Sequence, residues 1–227
     1  MDADSRERST LLWSVFPVVF FVYARTSFPS VTGGDAGELL AEACQLGTAH
    51  PPGYPLFTLL VHGAMRLAAV LIPSWDGSRS DWSGEHVGVP GLPSAAAAPA
   101  LTANVLSCGF AALAALLLAL TVEEWNSRRA VPAAAAAGAY GAAGLFAFSP
   151  LTWEYSTGAE VFALNNLLVA LLLYLTVRAA RAAGPKAGAG GAGLGWALAG
   201  AFVSGLALSN QHTSEKNAGS TEEHHSS

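Results

Sequence analysis

Long apolar stretches, separated by short polar segments, dominate the chain. Three of them, 99–122, 130–153 and 161–177, contain no charged residue. An apolar helix of about 18 or more residues suits a bilayer core, because a helix rises about 1.5 Å per residue and the core is roughly 30 Å thick. The pattern therefore predicts an all-α fold, a polytopic helical membrane protein.

We predict a transmembrane module over 11–210, with a cytoplasmic leader over 1–10 and a disordered polar tail over 211–227. Residues 73–99, rich in Ser, Gly, Pro and Ala, are expected to form a flexible linker. A cleaved signal peptide is the alternative for the start, but no small-residue cleavage pattern follows Ala24. About six hydrophobic segments are expected, at 11–31, 55–72, 100–122, 131–151, 160–178 and 194–209.

The orientation of the connectors stays open. With a cytoplasmic leader, six crossings place the arginines of 128–129 and 178–186 outside, whereas the positive-inside rule prefers them inside. A second segment that enters the membrane without crossing it would remove the conflict. Gly63, Arg66 and flanking prolines make the segment 55–72 a candidate for this behaviour.

Composition excludes several classes of protein. Hydrophobic residues make up 52% of the chain and charged residues 12%, about half the usual fraction of roughly 25%, which excludes a disordered charged protein. The net charge is −5, and no basic stripe with interleaved aromatics indicates nucleic-acid binding. Two cysteines, Cys44 and Cys108, make neither a disulfide framework nor a zinc site.

The first segment with candidate chemistry runs from Thr32 to Glu42. Asp35, Glu38 and Glu42 are spaced by three and four residues, which puts them on one face of a helix. On local grounds Asp35 is a helix N-cap, with Glu38 as its capping-box acid. A carboxylate at a membrane surface beside apolar spans is also suited to act as a general base. The two interpretations are compatible.

The second segment contains His50-Pro51-Pro52-Gly53-Tyr54. The prolines keep His50 out of a helix, and Gly47 is expected to end the helix before it. A rigid turn at the interface, with Tyr54 as an interfacial aromatic, is the structural alternative to a functional histidine.

The third segment joins two spans, and Glu154 and Glu160 flank the join. Acids so close to hydrocarbon are costly, so a partner or a function is expected for them. Trp153 and Tyr155 are typical of an interface, and the adjacent asparagines 165–166 suit helix–helix hydrogen bonds.

Together these segments resemble one family, the transmembrane protein O-mannosyltransferases of the GT-C superfamily. The resemblance lies in Gly-Gly-Asp-Ala-Gly-Glu, in Leu-Gly-Thr-Ala-His-Pro-Pro-Gly-Tyr-Pro-Leu-Phe, and in the later Trp-Glu-Tyr, Ala-Glu-Val-Phe-Ala-Leu-Asn-Asn and Leu-Ser-Asn-Gln-His-Thr. It covers about residues 27–213 in order. It implies a GT-C-type N-terminal transmembrane module whose first luminal loop is 32–54. Since family members have many more spans, we expect a truncated form.

The resemblance also implies a reaction. Such enzymes move mannose from dolichyl phosphate mannose to Ser or Thr hydroxyls, and the first-loop acid that carries catalysis corresponds to Asp35, with Glu38 beside it. The lipid phosphate that leaves needs donors or positive charge nearby. The candidate substrate-binding residues are His50, Tyr54, Arg66, Glu160 and His212. No metal or other cofactor is expected, because the lipid-linked donor bears a single phosphate.

The implied acceptors are luminal immunoglobulin-like plexin-transcription-factor domains of receptors, and the implied location is the endoplasmic reticulum membrane. Membrane lipid is an expected partner and nucleic acid is not. Two alternatives stay open: a non-catalytic short membrane form and a membrane transporter. The transporter has less support, because the acids cluster in one loop rather than along a bundle core.

Overall fold

The computed structural model describes residues 11–72, 98–126, 131–183 and 192–210. Within these ranges the chain is helical and contains no strand, so the predicted all-α fold is confirmed. The helices are α1 (Val15–Thr26), α2 (Ala36–Gln45), α3 (Pro55–Leu71), α4 (Ala98–Asn126), α5 (Pro132–Ala147), α6 (Pro150–Ser156), α7 (Val161–Ala182) and α8 (Ala192–Asn210).

Three described helices are long and apolar enough to cross a membrane: Pro99–Asn126, Val161–Ala182 and Gly193–Asn210. Helices α5 and α6 meet at a bend of 65° and add a fourth span if the pair counts as one. Helices α1 and α3, with 12 and 17 residues, are shorter apolar helices. The chain is thus a helical membrane protein, although fewer of its apolar helices reach spanning length than the six predicted segments.

The predicted leader and tail lie outside the described residues. So does the predicted linker, except that α4 already begins at Ala98. Helix α4 occupies the centre of the bundle, where it packs against α1, α5 and α7, and α7 in turn packs against α8. Its buried face is made of small side chains, which let neighbouring backbones approach closely. They include Ala103, Ala111, Ala115 and Ala119, all fully buried.

One end of the bundle gathers the polar segments singled out in the sequence, and we call it the site end. Here Trp153 Nε1 donates to Thr26 Oγ1 at 3.1 Å, and Asn104 Nδ2 donates to the Phe28 carbonyl at 2.8 Å. Asn210 Nδ2 donates to the Val161 carbonyl at 3.4 Å. The site end therefore joins the last turns of α1 and α8 to the first turns of α4 and α7.

Two arginines of α7 lie at the opposite end of the bundle, whereas Arg25 lies at the site end in the last turn of α1. Arg181 Nη1 lies 2.7 Å from Glu124 Oε1, and the Arg178 guanidinium lies 4.6 Å from the centre of the Trp196 ring. With the site end outside, these arginines lie inside, as the positive-inside rule prefers. Helices α3 and α4 both begin at the site end, which is the arrangement expected if α3 enters the membrane without crossing it.

Candidate functional site

The loop before α2 is fixed by a buried amide. Asn104, fully buried in α4, donates to the carbonyls of Phe28 and Ser30 at 2.8 and 3.0 Å. The Phe28 backbone N–H donates to the Thr157 carbonyl at 3.2 Å. The α1–α2 loop is therefore attached both to the central helix and to the segment that precedes α7, so the position of α2 follows from the bundle.

Asp35 occupies the N-cap position of α2, as predicted, but its side chain makes no capping hydrogen bond. Its carboxylate is 61% exposed and lies open at the site end. The predicted capping box is wrong, because the acid at the third helical position, Glu38, binds His50 instead. The Asp35 side chain is consequently available to a ligand.

Glu38 and His50 form a two-point contact. The His50 backbone N–H donates to Glu38 Oε1 at 2.6 Å, and His50 Nδ1 lies 3.0 Å from Glu38 Oε2. These hydrogen bonds lower the pKa of Glu38. An ionised carboxylate only accepts hydrogen bonds, so Nδ1 carries a hydrogen and Nε2 is the nitrogen left for other partners. Nε2 lies 3.7 Å from Asp35 Oδ2, which places the imidazole between two acids.

The His50 turn is closed by the Gly53 backbone N–H, which donates to the His50 carbonyl at 2.9 Å. Tyr54 follows, with its ring edge-on to His50 at a centroid distance of 5.5 Å. Burial raises the pKa of the Tyr54 hydroxyl, and the charges of Asp35, Glu160 and Glu38 raise it further. The hydroxyl therefore stays protonated and can donate.

Glu160 brings a third acid to the same place. It immediately precedes α7 and is only 9% exposed. Its Oε1 lies 3.1 Å from the place where a Cβ on Gly34 would stand, beside the start of α2. Burial raises the pKa of Glu160 to about 6, and the Asp35 charge adds to this rise. The first and third sequence segments, far apart along the chain, thus form one site.

Two predicted binding residues are not part of this cluster in the described structure. Arg66 is exposed on α3, about 16 Å along the helix from its first residue at a rise of 1.5 Å per residue. His212 lies outside the described residues. Asn210, the last described residue, contacts the carbonyl next to Glu160.

Sequence reasoning missed Asn104 and the contact between Thr32 and Gly158. An amide inside the uncharged run 99–122 was a usable signal for Asn104, because a buried amide in an apolar helix needs partners. A Cβ placed on Gly158 would lie 2.9 Å from Thr32 Cγ2. No local pattern predicts that contact.

The helix end before His50 also differs from the expectation. Leu46, not Gly47, adopts the left-handed conformation that ends α2, with φ 54°. Its backbone N–H caps the helix by donating to the Glu42 carbonyl.

The arrangement is suited to acid–base chemistry at a membrane surface. It presents one open carboxylate, Asp35, next to the His50 imidazole and the Tyr54 hydroxyl, with the buried acid Glu160 close by. Within the ranges that the structure covers, no group of three or more His, Cys, Asp or Glu residues is arranged to hold a metal ion.

Comparison with known proteins points to one family. The family model described as "Protein O-mannosyl-transferase TMEM260 N-terminal domain" matches residues 35–73 and 88–214. No solved structure matches the chain.

Two curated relatives are similar over most of this chain. A mouse protein named "Protein O-mannosyl-transferase TMEM260" is 42% identical over 200 residues, which are 88% of this chain and 23% of the relative. A Dictyostelium discoideum protein named "Protein O-mannosyl-transferase tmem260" is 35% identical over 156 residues, 69% of this chain and 15% of the relative. The chain thus spans less than a quarter of each of these relatives, and it belongs to the TMEM260 protein O-mannosyl-transferase family, whose N-terminal domain it contains.

Proposed function

We propose that this chain carries the catalytic loop of a membrane protein O-mannosyltransferase of the endoplasmic reticulum. The reaction moves mannose from dolichyl phosphate mannose to Ser or Thr hydroxyls of luminal protein domains. The observation that carries the proposal is the open Asp35 carboxylate, surrounded by Glu38, His50, Tyr54 and Glu160 at one end of an apolar bundle. The relatives' names support the reaction class.

Asp35 is the general base in this mechanism. A Ser or Thr hydroxyl is a weak nucleophile, so a carboxylate must take its proton as the oxygen bonds to the anomeric carbon of mannose. The bond from that carbon to the phosphate oxygen breaks, and dolichyl phosphate leaves with the electron pair. Asp35 is exposed and makes no capping bond, so its oxygens can accept the hydroxyl proton.

Glu38 is less suited to be the base. Both of its oxygens bind His50, and these hydrogen bonds lower its pKa. Its role here is to fix the imidazole beside Asp35. Although Glu38 was grouped with Asp35 on sequence grounds, the geometry supports a division of labour between the two acids.

His50 and Tyr54 are the proposed contacts to the donor. Both lie within the acid cluster. The Tyr54 hydroxyl can donate to the sugar or to the phosphate that leaves, and His50 Nε2, which Glu38 does not occupy, can accept from a sugar hydroxyl. Arg66 and His212 remain proposed binding residues, without a place in the described cluster. A lipid-linked donor suits this position, because the side chains of Leu59, Leu67 and Val70 on α3 are exposed and apolar.

The proposed acceptors are immunoglobulin-like plexin-transcription-factor domains of receptors, and the proposed donor needs no metal because it carries one phosphate. A transporter is not favoured, since the described acids lie at the two ends of the bundle, with Glu123 and Glu124 opposite the site end, rather than along its axis.

The deciding experiment measures transfer of labelled mannose to a plexin-type acceptor domain in microsomes that lack endogenous transfer to it. Donors would be dolichyl phosphate mannose or, as the control, GDP-mannose under conditions that block its conversion to the lipid form. Because the chain spans less than a quarter of its relatives, it is tested alone and as a replacement for the matching segment of the mouse protein. Transfer from the lipid donor alone supports the proposal. Transfer from GDP-mannose contradicts it. So does the absence of transfer both by the chain alone and by the mouse protein that carries this chain, if the intact mouse protein is active.

A further inference from the structure

We propose that Asn104 is a positioning residue for the transfer reaction, because from inside α4 it holds the loop that leads to Asp35 with two hydrogen bonds. The inference rests on the proposed role of Asp35 as the base. Asn104 is fully buried, so it contacts neither the donor nor the acceptor and acts only through the loop.

The first support is that both amide hydrogens of Asn104 are used. Nδ2 donates to the Phe28 carbonyl at 2.8 Å and to the Ser30 carbonyl at 3.0 Å. Because a backbone carbonyl only accepts hydrogen bonds, the amide nitrogen has to face both of them, which fixes the orientation of the side chain. Oδ1 is buried and makes no hydrogen bond within the described residues. Asn104 therefore acts on the loop as a double donor.

The second support is that side-chain burial does little to fix the held segment. Residues 28–31 are exposed, so they gain little from contact with the core. The Phe28 backbone N–H donates to the Thr157 carbonyl at 3.2 Å, while the Phe28 carbonyl accepts from Asn104. The Ser30 carbonyl accepts from the same amide. The position of this segment therefore depends on hydrogen bonds of its backbone, and two of them come from Asn104.

The third support is the chain between the held segment and Asp35, which contains two adjacent glycines. Gly34 has φ +69°, a conformation that glycine adopts without strain, and a Cβ on Gly33 would meet nothing within 4 Å. Two glycines give the backbone wide conformational freedom, so they do not fix Asp35 by themselves. The Asp35 side chain makes no capping hydrogen bond that would anchor it. The place of its carboxylate therefore follows from where the loop is held.

The remainder of α2 is held separately. Leu39 and Ala43 are buried in the core, and His62 Nδ1 on α3 lies 2.8 Å from the Ala43 carbonyl. Loss of the Asn104 hydrogen bonds is therefore expected to free the loop and the first turn of α2 while the helix stays in place. A shift of a catalytic group by about 1 Å costs about 10²-fold in rate, so this freedom is enough to impair transfer.

Two substitutions remove the donors with opposite steric effects. Asn104→Leu keeps a branched side chain, whereas Asn104→Ala leaves space, and both suit an apolar helix. The matched control is Ser107→Ala, one turn further along α4. The Ser107 side chain is fully buried, and its hydroxyl makes no hydrogen bond in the part of the chain that the structure describes. The control thus removes a buried polar atom without releasing the loop.

The first readout is hydrogen exchange of the backbone amides of 28–36 in the membrane-reconstituted chain, and it needs no activity. We expect both Asn104 variants to speed exchange in this segment by about fivefold or more, the factor that corresponds to the loss of one or two hydrogen bonds. Exchange in α7, and exchange in the control, should stay at the wild-type rate. Unchanged exchange at 28–36 in both variants overturns the proposal. So does faster exchange throughout α4 and α7, because Asn104 would then support the whole bundle.

The second readout is a double-variant cycle on mannose transfer, in the mouse protein that carries this chain. Asn104→Leu should lower kcat by about tenfold or more and leave KM for donor and acceptor within about twofold, since Asn104 touches neither substrate. In the Asp35→Asn background the same substitution should have little further effect, because no base is left to position. Ser107→Ala should match wild type.

Two results of this cycle overturn the proposal. One is a wild-type kcat in Asn104→Leu. The other is a loss that multiplies in full with that of Asp35→Asn, because a general loss of folded protein would behave in this way. Failure of the proposed function gives a different result, in which the wild-type chain transfers no mannose although the intact mouse protein does. The exchange measurement then still decides whether Asn104 holds the loop.

Discussion

Glu38 binds His50 at two points, through the backbone N–H at 2.6 Å and through ring Nδ1 at 3.0 Å. Both donors come from a residue that the following prolines exclude from a helix. The contact joins the first turn of α2 to the turn that precedes α3. It sets the direction of the imidazole, and with it the position of Nε2 beside Asp35.

Glu38→Gln should loosen this contact, because one amide oxygen cannot accept both donors and the amide NH2 would face one of them. We expect transfer to fall by about tenfold, as is typical when a fixed catalytic group is allowed to move. The measurement is mannose transfer, with Glu42→Gln on the same helix as the control. Equal activity of the two variants would contradict the role given to Glu38.

The same contact has a defined pH dependence. Hydrogen bonds lower the folded-state pKa of Glu38 below its ordinary 4.5. The stability that ionised Glu38 contributes is therefore present above pH 4.5 and is lost as the pH falls through the lower folded-state pKa. Protection of the His50 amide from hydrogen exchange should therefore persist at pH 4.5 and disappear only below it. Loss of protection already near pH 6 would contradict the pairing.

Gly158→Ala tests the close approach of the two loops. The added methyl would lie 2.9 Å from Thr32 Cγ2, so we expect a loss of about 1–3 kcal/mol in stability together with reduced transfer. Gly141→Ala is the matched control, since a Cβ there meets nothing within 4 Å. Thr32→Ala should restore much of the loss in the double variant, and strictly additive effects would show that the two residues do not touch.

Glu160→Gln should stabilise the folded chain at neutral pH. The folded-state pKa of about 6, against an ordinary value of 4.5, corresponds to a cost of about 2 kcal/mol for ionised Glu160. Because the folded-state pKa is raised, the contribution of the protonated carboxyl to the free energy of unfolding is complete below pH 4.5. It is lost as the pH rises through about 6. Thermal unfolding in detergent should show the gain of the variant above pH 6 and no gain below 4.5. A less stable variant at pH 7.5 would contradict this sign.

Glycosylation tests which side of the membrane the site end faces. Leu46→Asn creates an Asn-Gly-Thr acceptor on an exposed residue whose φ of 54° suits asparagine. Arg128→Thr creates an Asn-Ser-Thr acceptor beginning at Asn126, at the opposite end of the bundle. We expect a glycan with the first substitution and none with the second. The reverse result would place the site end in the cytoplasm.

The helices were predictable from sequence, because an apolar run over a spanning length fixes a helix by local rules. The site was predictable in part. Asp35 and Glu38 are three residues apart at the start of one helix, so their proximity followed from spacing. The partner of Glu38 did not, because the capping rule considers only the helix itself, and a histidine beyond the helix supplied two donors to the same carboxylate.

The place of Glu160 could not be predicted locally either. Its place beside Gly34 depends on how α7 packs against α4 and on glycines that allow two loops to approach. Arg66 shows the limit of choosing residues by charge, and its binding role stays a prediction. Its charge made it a candidate, but its position along α3 keeps it apart from the acids.

The central claim is that the Asp35 carboxylate is the base, and Asp35→Asn tests it most directly. Since the Asp35 side chain makes no capping bond, neither Asp35→Asn nor Asp35→Ala should disturb α2, and protein level and membrane insertion should stay normal. We would measure mannose transfer from dolichyl phosphate mannose to a plexin-type domain, with Glu154→Gln as the control. The account predicts a loss of about 10²-fold or more in both Asp35 variants and none in the control. Transfer by Asp35→Asn at a rate close to wild type would contradict it.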